Sequence, residues 1–153
     1  KFGPLTCISG TVRTKNGCFV QTIDSRYPTS TTGKAITSAM EDLGKTYGCA
    51  YRVLADDVPF YIDPKSPEIA TLLDTYHEYT GHEGKAFVIG GGTYARHFKH
   101  AVAFGPVESA EADQIPAWVG AEHGPDEGVS EEWLRRALKI YIVSIARLME
   151  LDL

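Results

Sequence analysis

The order of apolar and polar positions predicts a β-rich beginning followed by a helix. From residue 5 to residue 27, β-branched and apolar residues form two arms around Asn16-Gly17. That dipeptide is typical of a type I′ turn, in which both central residues have positive φ, so the pattern predicts a β-hairpin. Residues 50–54 predict a third strand. The intervening helix is predicted from an apolar stripe at helical spacing: Ala35, Ile36, Ala39, Met40 and Leu43.

Turn-forming residues are concentrated at positions 56–67, which predicts a crossing between two lobes. Beyond it, Ser66 and Pro67 are typical of the N-cap and first residue of a helix that ends at Gly81. Apolar runs at 86–89 and 101–104 predict two buried strands, and Ser130 predicts the N-cap of a last helix. The apolar stripe of the first of these helices is Ile69, Leu72, Leu73 and Tyr76. That of the last is Leu134, Leu138, Tyr141, Ile145 and Leu148, with Trp133, Ala137 and Ile140 beside it.

These elements predict an α/β fold in two lobes. Residues 1–61 form a β-β-α-β lobe, and residues 62–153 form an α-β-β-α lobe. Two strands are too few for a sheet that is covered on both faces. We therefore expect the missing strands to come from another segment of a longer protein, and a chain that starts at Lys1 without Met fits that expectation.

Composition narrows the classes of partner. The net charge of −5 and the scattered basic residues argue against nucleic acid, because phosphate binding requires clustered Lys and Arg. No apolar run reaches the ~18 residues that a membrane helix needs. The cysteines Cys7, Cys18 and Cys49 lack a zinc-binding spacing. We expect them to be buried or half-buried thiols in a reducing cytoplasm.

Three consecutive glycines, Gly90, Gly91 and Gly92, follow the apolar run 86–89. Residues 90–93, here called the glycine turn, let a ligand approach the backbone and leave N–H groups free to face an anion. Thr93 adds a hydroxyl group, and Arg96 adds a nearby charge. A plain structural turn explains the glycines equally well. The spacing matches neither a P-loop nor a dinucleotide-binding motif.

Two further residues are candidates for binding. His123 lies in a Gly/Pro-containing loop before the last helix, where its imidazole is suited to zinc, although a solvent-exposed loop histidine explains it as well. Strand alternation places Asp24 and Arg26 on one face of the second arm. They form either an ion pair or a site where the arginine reaches an anionic ligand with two hydrogen bonds.

Four runs in this order resemble the M20 family of di-zinc peptidases: RYP at 26–28, IGGGTYAR at 89–96, AVAFGP at 101–106, and a histidine followed three residues on by Asp-Glu. The nearest similarity is to its bacterial dipeptidase branch, with PepV-type and Xaa-His dipeptidases. The resemblance extends over about residues 5–151. It implies a catalytic lobe with two zinc ions and an inserted lid, so that residues 1–61 end the lid and residues 62–153 end the catalytic lobe.

The resemblance also implies roles for individual residues. His123 takes the place of the last zinc ligand, and the substrate's C-terminal carboxylate is bound by Arg26, Gly91, Gly92 and Thr93. The implied cofactor is zinc, and the partners are a dipeptide or short peptide and the remaining segment of the parent protein; a homodimer stays open. The general-base glutamate and the other zinc ligands are implied upstream, so no catalytic residue is expected in this chain, which is expected to be inactive alone.

Two departures from the family pattern and two alternatives accompany this interpretation. Asp126 stands where the family usually has Asn, and Lys99-His100 stands where Pro-Asn is frequent. His97 and His100 are expected to be surface residues. The first alternative is a non-catalytic binding or assembly module that retains the architecture. The second is an unrelated α/β domain with an anion-binding turn.

Overall fold

The computed structural model describes residues 3–152, so the expectation that rests on Lys1 lies outside the described residues. The chain divides into two compact units. The hairpin unit comprises Lys1–Tyr61 and Phe87–Ala101, and the helical unit comprises Ile62–Ala86 and Val102–Leu153. Helices and strands are both present, which confirms the α/β class. The division into a lid (1–61) and a catalytic lobe (62–153) stays a prediction.

The hairpin unit contains the predicted hairpin. Strands β1 (Thr6–Lys15) and β2 (Cys18–Arg26) pair antiparallel, with an irregularity between Ser9 and Val12. Asn16 and Gly17 have φ values of 52° and 76°, as a type I′ turn requires, which confirms the predicted turn. Both faces of the hairpin are largely exposed.

The predicted helix after the hairpin is confirmed as α1 (Gly33–Tyr47). It begins after Thr32, whose Oγ1 accepts a hydrogen bond of 3.2 Å from the Ala35 N–H group. Such a bond satisfies one of the N–H groups that have no partner within the first turn. The helix ends at Gly48, which takes the left-handed conformation with φ 67°.

Two helices form the core of the helical unit. Helix α2 (Pro67–Thr80) ends at Gly81 with φ 73°, and α3 (Glu131–Met149) packs against it. The Arg147 guanidinium joins the helices by donating to Thr75 Oγ1 at 3.0 Å and to Glu78 Oε2 at 2.6 Å. The buried residues of the two helices are Ile69, Leu72, Thr75, Trp133, Ala137, Ile140 and Ser144.

Most of the predicted apolar stripe of α3 is exposed, and the apolar residues predicted beside it, Trp133, Ala137 and Ile140, are the buried ones. Leu134, Leu138 and Ile145 are exposed, whereas the buried face contains Trp133 and Ile140. Apolar residues lie on more than one side of this helix, so periodicity alone does not decide which side is covered. The contact with α2 decides it.

The three strands predicted at 50–54, 86–89 and 101–104 are also wrong, because these segments have no regular secondary structure. A strand is maintained by hydrogen bonds to a neighbouring strand. Within residues 3–152, β1 and β2 form the one ladder, and the three apolar runs have no strand beside them. Ser66 and Ser130 occupy the predicted N-cap positions, but neither side chain makes the capping hydrogen bond.

The cysteine prediction is confirmed for the free thiols and wrong for their burial. Cys7, Cys18 and Cys49 are free thiols, and all three are exposed. The first two lie on the hairpin, which has no covering layer on either face. Among the described residues, no helix combines the length and the apolar character that a membrane crossing requires.

Candidate functional site

The glycine turn belongs to the hairpin unit and is open to solvent. Its three glycines are exposed, and Thr93 is half-buried directly before a short 3₁₀ helix, Tyr94–His97. None of Gly90, Gly91 and Gly92 is among the described glycines with positive φ. The turn therefore does not need glycine for a left-handed backbone. What these glycines provide is space above the backbone.

Arg26 contacts the glycine turn from the end of β2. A Cβ atom placed on Gly90 would lie 3.6 Å from Arg26 Cδ, and one on Gly91 would lie 4.0 Å from its Nη1. These are ordinary packing distances. Arg26 Nη2 also lies 3.4 Å from Asp24 Oδ2, so the ion pair that the sequence offered as one alternative is present. Its side chain remains 53% exposed.

A second arginine lies at the other end of the glycine turn. The Arg96 guanidinium lies so close to Gly92 that a Cβ atom there would collide with Nη1. The same nitrogen is 3.1 Å from Asp57 Oδ2. The neighbouring Asp56 accepts a hydrogen bond from the Tyr27 hydroxyl group, which raises the pKa of that phenol. The two aspartates that the sequence assigned to a crossing are therefore both bound to groups of the hairpin unit.

His123 lies in the helical unit, in a tight loop before α3. It has φ 62°, and its backbone N–H group donates to Glu127 Oε2 at 3.1 Å. Asp126 has φ 59°, and its carbonyl oxygen accepts from Gly120 N–H at 2.9 Å. Asparagine and aspartate both tolerate this conformation, so the departure from the family's Asn at 126 is compatible with the backbone. The His123 side chain is exposed.

A cluster in the helical unit was not predicted from the sequence. His82, Glu108 and Glu111 could hold a metal ion, since one ligand atom from each lies within 4.8 Å of the others. Glu108 is buried, and both of its carboxylate oxygens accept hydrogen bonds from the Tyr76 hydroxyl group, at 2.7 and 2.8 Å. His82 Nε2 lies 3.3 Å from Glu111 Oε1.

Glu111 is the most connected carboxylate in this cluster. Its Oε2 accepts from Arg136 Nη2 and from Trp133 Nε1, each at 2.8 Å. The Arg136 hydrogen bond, with those from His82 and Trp133, outweighs desolvation and lowers the pKa of Glu111 to about 2. The cation already present at Glu111 would oppose a metal ion there.

The pKa of the Tyr76 phenol is shifted upwards, in the opposite direction to that of Glu111. Desolvation first, and then the hydrogen bond to Glu108, raise the pKa of Tyr76 to about 12. The phenol therefore stays a donor to Glu108 at every pH at which a protein normally works. The cluster is a hydrogen-bonded polar network that joins α2, α3 and the segment Ser109–Gln114.

The structure brings together some predicted site residues and separates others by unit. Arg26 lies against the glycine turn in the hairpin unit, and His123 lies in the helical unit. Within residues 3–152, His123 belongs to no group of three potential metal ligands. His97 and His100 are exposed, as expected. One signal in the sequence could have indicated the polar network: Glu108 and Glu111, like Trp133 and Arg136, are three residues apart.

The chain is similar to bacterial proteins that bear the name "Putative dipeptidase". It is 31% identical to YtjP of Bacillus subtilis (strain 168) over 95% of its own length. It is 27% identical to SSP1012 of Staphylococcus saprophyticus over 82%, and 29% identical to SAUSA300_1697 of Staphylococcus aureus (strain USA300) over 80%.

These relatives are much longer than the matched segment. The chain covers 30% of the YtjP protein, and 25% of each of the two staphylococcal proteins. No protein-family model matches the chain. No solved structure matches it either.

Proposed function

We propose that this chain is part of a zinc-dependent dipeptidase of the M20 family, in its PepV-type branch. The parent protein hydrolyses the peptide bond of dipeptides or short peptides that have a free C-terminal carboxylate. The observation that carries the proposal is the position of Arg26 beside Gly90 and Gly91, 64 and 65 positions further along the chain. The names of the three relatives support the same activity.

In this proposal the hairpin unit binds the substrate's carboxylate. Arg26 presents a planar guanidinium, which can donate two parallel hydrogen bonds to a carboxylate. Gly91, Gly92 and Thr93 provide the accessible backbone beside it. A peptide held by its C-terminus has its last peptide bond at a fixed distance from the site of attack, which favours dipeptides and other short substrates.

The described residues do not complete a zinc site around His123, because no two further potential metal ligands among them lie close enough to it. We propose that His123 contributes one zinc ligand and that the remaining segment of the parent protein contributes the other ligands and the general base. The 153-residue chain is then inactive alone. Its three exposed free thiols support a reducing compartment, the cytoplasm.

Replacing His123 tests the metal assignment. In the full-length protein expressed from the complete reading frame, we expect His123→Ala to lower zinc-dependent hydrolysis of Gly-Leu by on the order of 100-fold or more. Loss of a group that only supports a ligand already costs about 10- to 100-fold. Hydrolysis rate and bound zinc are measured together. His97→Ala, which removes an exposed histidine of the hairpin unit, is the control. Near-normal turnover and zinc content in His123→Ala would contradict the assignment.

A second candidate is a non-catalytic module that binds peptide carboxylates, because the exposed glycine turn with Arg26 beside it could bind a carboxylate without any metal. The same full-length protein separates the two. A dipeptidase hydrolyses Gly-Leu when zinc is supplied. A binding module binds the dipeptide and leaves it intact.

A further inference from the structure

We propose that Arg96 is a second carboxylate-binding residue at the glycine turn, and that Asp57 holds its guanidinium when no substrate is bound. The inference rests on the proposed function, which assigns carboxylate binding to Arg26 and the turn. It adds a residue that the sequence motif contains but to which the family resemblance gave no role. The ligand class is a carboxylate, in the first place the C-terminal carboxylate of a short peptide.

The two arginines lie beside successive residues of one turn. Arg26 lies beside Gly90 and Gly91, and the Arg96 guanidinium lies against Gly92. Both guanidinium groups and the exposed glycines belong to the hairpin unit. A carboxylate at the turn would therefore meet a positive charge from each end of the triglycine.

The conformation of Gly92 supports this role for Arg96. Gly92 does not have positive φ, so its backbone would accept another residue. The obstacle to a side chain at this position is Arg96, whose Nη1 lies too close to the position that a Cβ atom would take. Glycine at position 92 thus makes room for a guanidinium next to the turn.

The present partners of the two arginines are exchangeable. Asp24 is 3.4 Å from Arg26, and Asp57 is 3.1 Å from Arg96, and these aspartates are 61% and 62% exposed. Exposed ion pairs contribute little to stability, since water and salt screen them. The carboxylate of a ligand can therefore replace Asp57 at Arg96 without a large loss of protein stability. If Asp57 competes with the substrate for Arg96, it weakens carboxylate binding. If the ion pair only holds Arg96 in place, Asp57 strengthens carboxylate binding.

Whether Asp57→Asn tightens or weakens the binding of a peptide carboxylate tests the proposal. The full-length protein, with zinc removed by a chelator so that dipeptides stay intact, is titrated with glycylglycine and, separately, with glycylglycinamide at constant ionic strength. Isothermal titration calorimetry gives the affinity for each ligand. We expect Asp57→Asn to tighten glycylglycine binding about threefold and Arg96→Gln to weaken it about fivefold. Asp42→Asn is the matched control, because it removes the same charge from a pair with Lys45 on α1.

Each outcome distinguishes the two proposals. Weaker binding in Arg26→Gln but unchanged binding in both Arg96→Gln and Asp57→Asn overturns the role of Arg96 and leaves the role of Arg26 intact. Weaker binding in Asp57→Asn identifies a structural ion pair and also overturns the inference. Equal responses to glycylglycine and glycylglycinamide in every variant overturn carboxylate binding by the turn as a whole. A gain of affinity in Asp57→Asn cannot result from misfolding.

Discussion

At the scale of single residues, the glycine turn shows that three identical residues can have different reasons to be glycine. Gly90 and Gly91 have Arg26 at ordinary contact distance, so a methyl group would fit beside it. At Gly92 a methyl group would collide with Arg96. The constraint at position 92 is therefore imposed by a side chain four residues away, and removing that side chain should remove the constraint.

Gly92→Ala measures this coupling. We expect the alanine to displace the Arg96 guanidinium from Asp57 and to weaken glycylglycine binding to the extent that Arg96→Ala does. In an Arg96→Ala background, Gly92→Ala should have no further effect, which a double-mutant cycle of affinities detects. Gly91→Ala is the control, since its Cβ atom would lie 4.0 Å from Arg26 Nη1. Additive effects of the two substitutions would contradict the coupling.

The sequence identified the members of this site one at a time but did not give their arrangement. Triglycine and Arg26 are visible because glycine runs and strand alternation are local signals. The pair of Arg96 and Asp57 spans 39 positions and depends on how the chain returns to the hairpin unit. The polar network around Glu111 is distributed over several segments in the same way.

At the scale of elements, the two faces of α3 differ in what they contact. Trp133, Ala137 and Ile140 are buried, while Leu134, Leu138 and Ile142 remain exposed. Stabilisation by apolar residues depends on the area that they remove from water. Apolar residues of similar size on this helix should therefore contribute very differently to its stability.

A pair of isoleucines tests this difference within one helix. Ile140 is 5% exposed, and Ile142 is 61% exposed. We expect Ile140→Ala to lower the free energy of unfolding by about 2–4 kcal/mol, because it leaves a cavity at the α2 contact. Ile142→Ala should change it by less than about 0.5 kcal/mol. Urea denaturation of both variants measures the difference. Equal losses of unfolding free energy would contradict the assignment of Ile140, and not Ile142, to the packed face of α3.

The elements that the sequence predicted correctly are those with signals in neighbouring residues. The hairpin follows from Asn16-Gly17, and the three helices follow from periodicity and from terminal residues such as Pro67 and Gly81. The strands at 50–54, 86–89 and 101–104 were wrong because strand formation needs a partner at a distance in the sequence. For the same reason periodicity did not decide which apolar side of α3 is buried, since the partner that covers it is α2.

At the scale of the whole molecule, the two units differ in their buried interiors. Among the described residues, the buried apolar side chains lie in the helical unit, except for Ala95. The helical unit also contains the polar network around Glu111, whose side chain is 13% exposed. The Glu111 carboxylate is hydrogen-bonded to His82 and Arg136, which lie in the two sequence segments of the unit. We therefore expect this network to govern how the helical unit responds to acid.

The acid response follows from the pKa of Glu111, which Arg136 lowers from 4.5 to about 2. The unfolded chain binds a proton near pH 4.5 and the folded chain does not. The stabilisation is therefore complete above pH 4.5 and is lost as the pH falls towards 2. We expect Glu111→Gln to flatten the fall in the free energy of unfolding over this range, measured by urea denaturation with tryptophan fluorescence. Glu131→Gln, which removes an exposed partner of Arg135, is the control and should leave the slope unchanged.

The backbone of His123 has a consequence for any attempt to make the protein more robust. A residue other than glycine in the left-handed region carries a free-energy penalty of about 1 kcal/mol, and His123 has φ 62°. Optimisation for folding alone would therefore favour glycine at this position and would remove the imidazole. At position 123 function and thermostability impose opposite demands, so a variant selected only for survival on heating should lose its candidate metal ligand early.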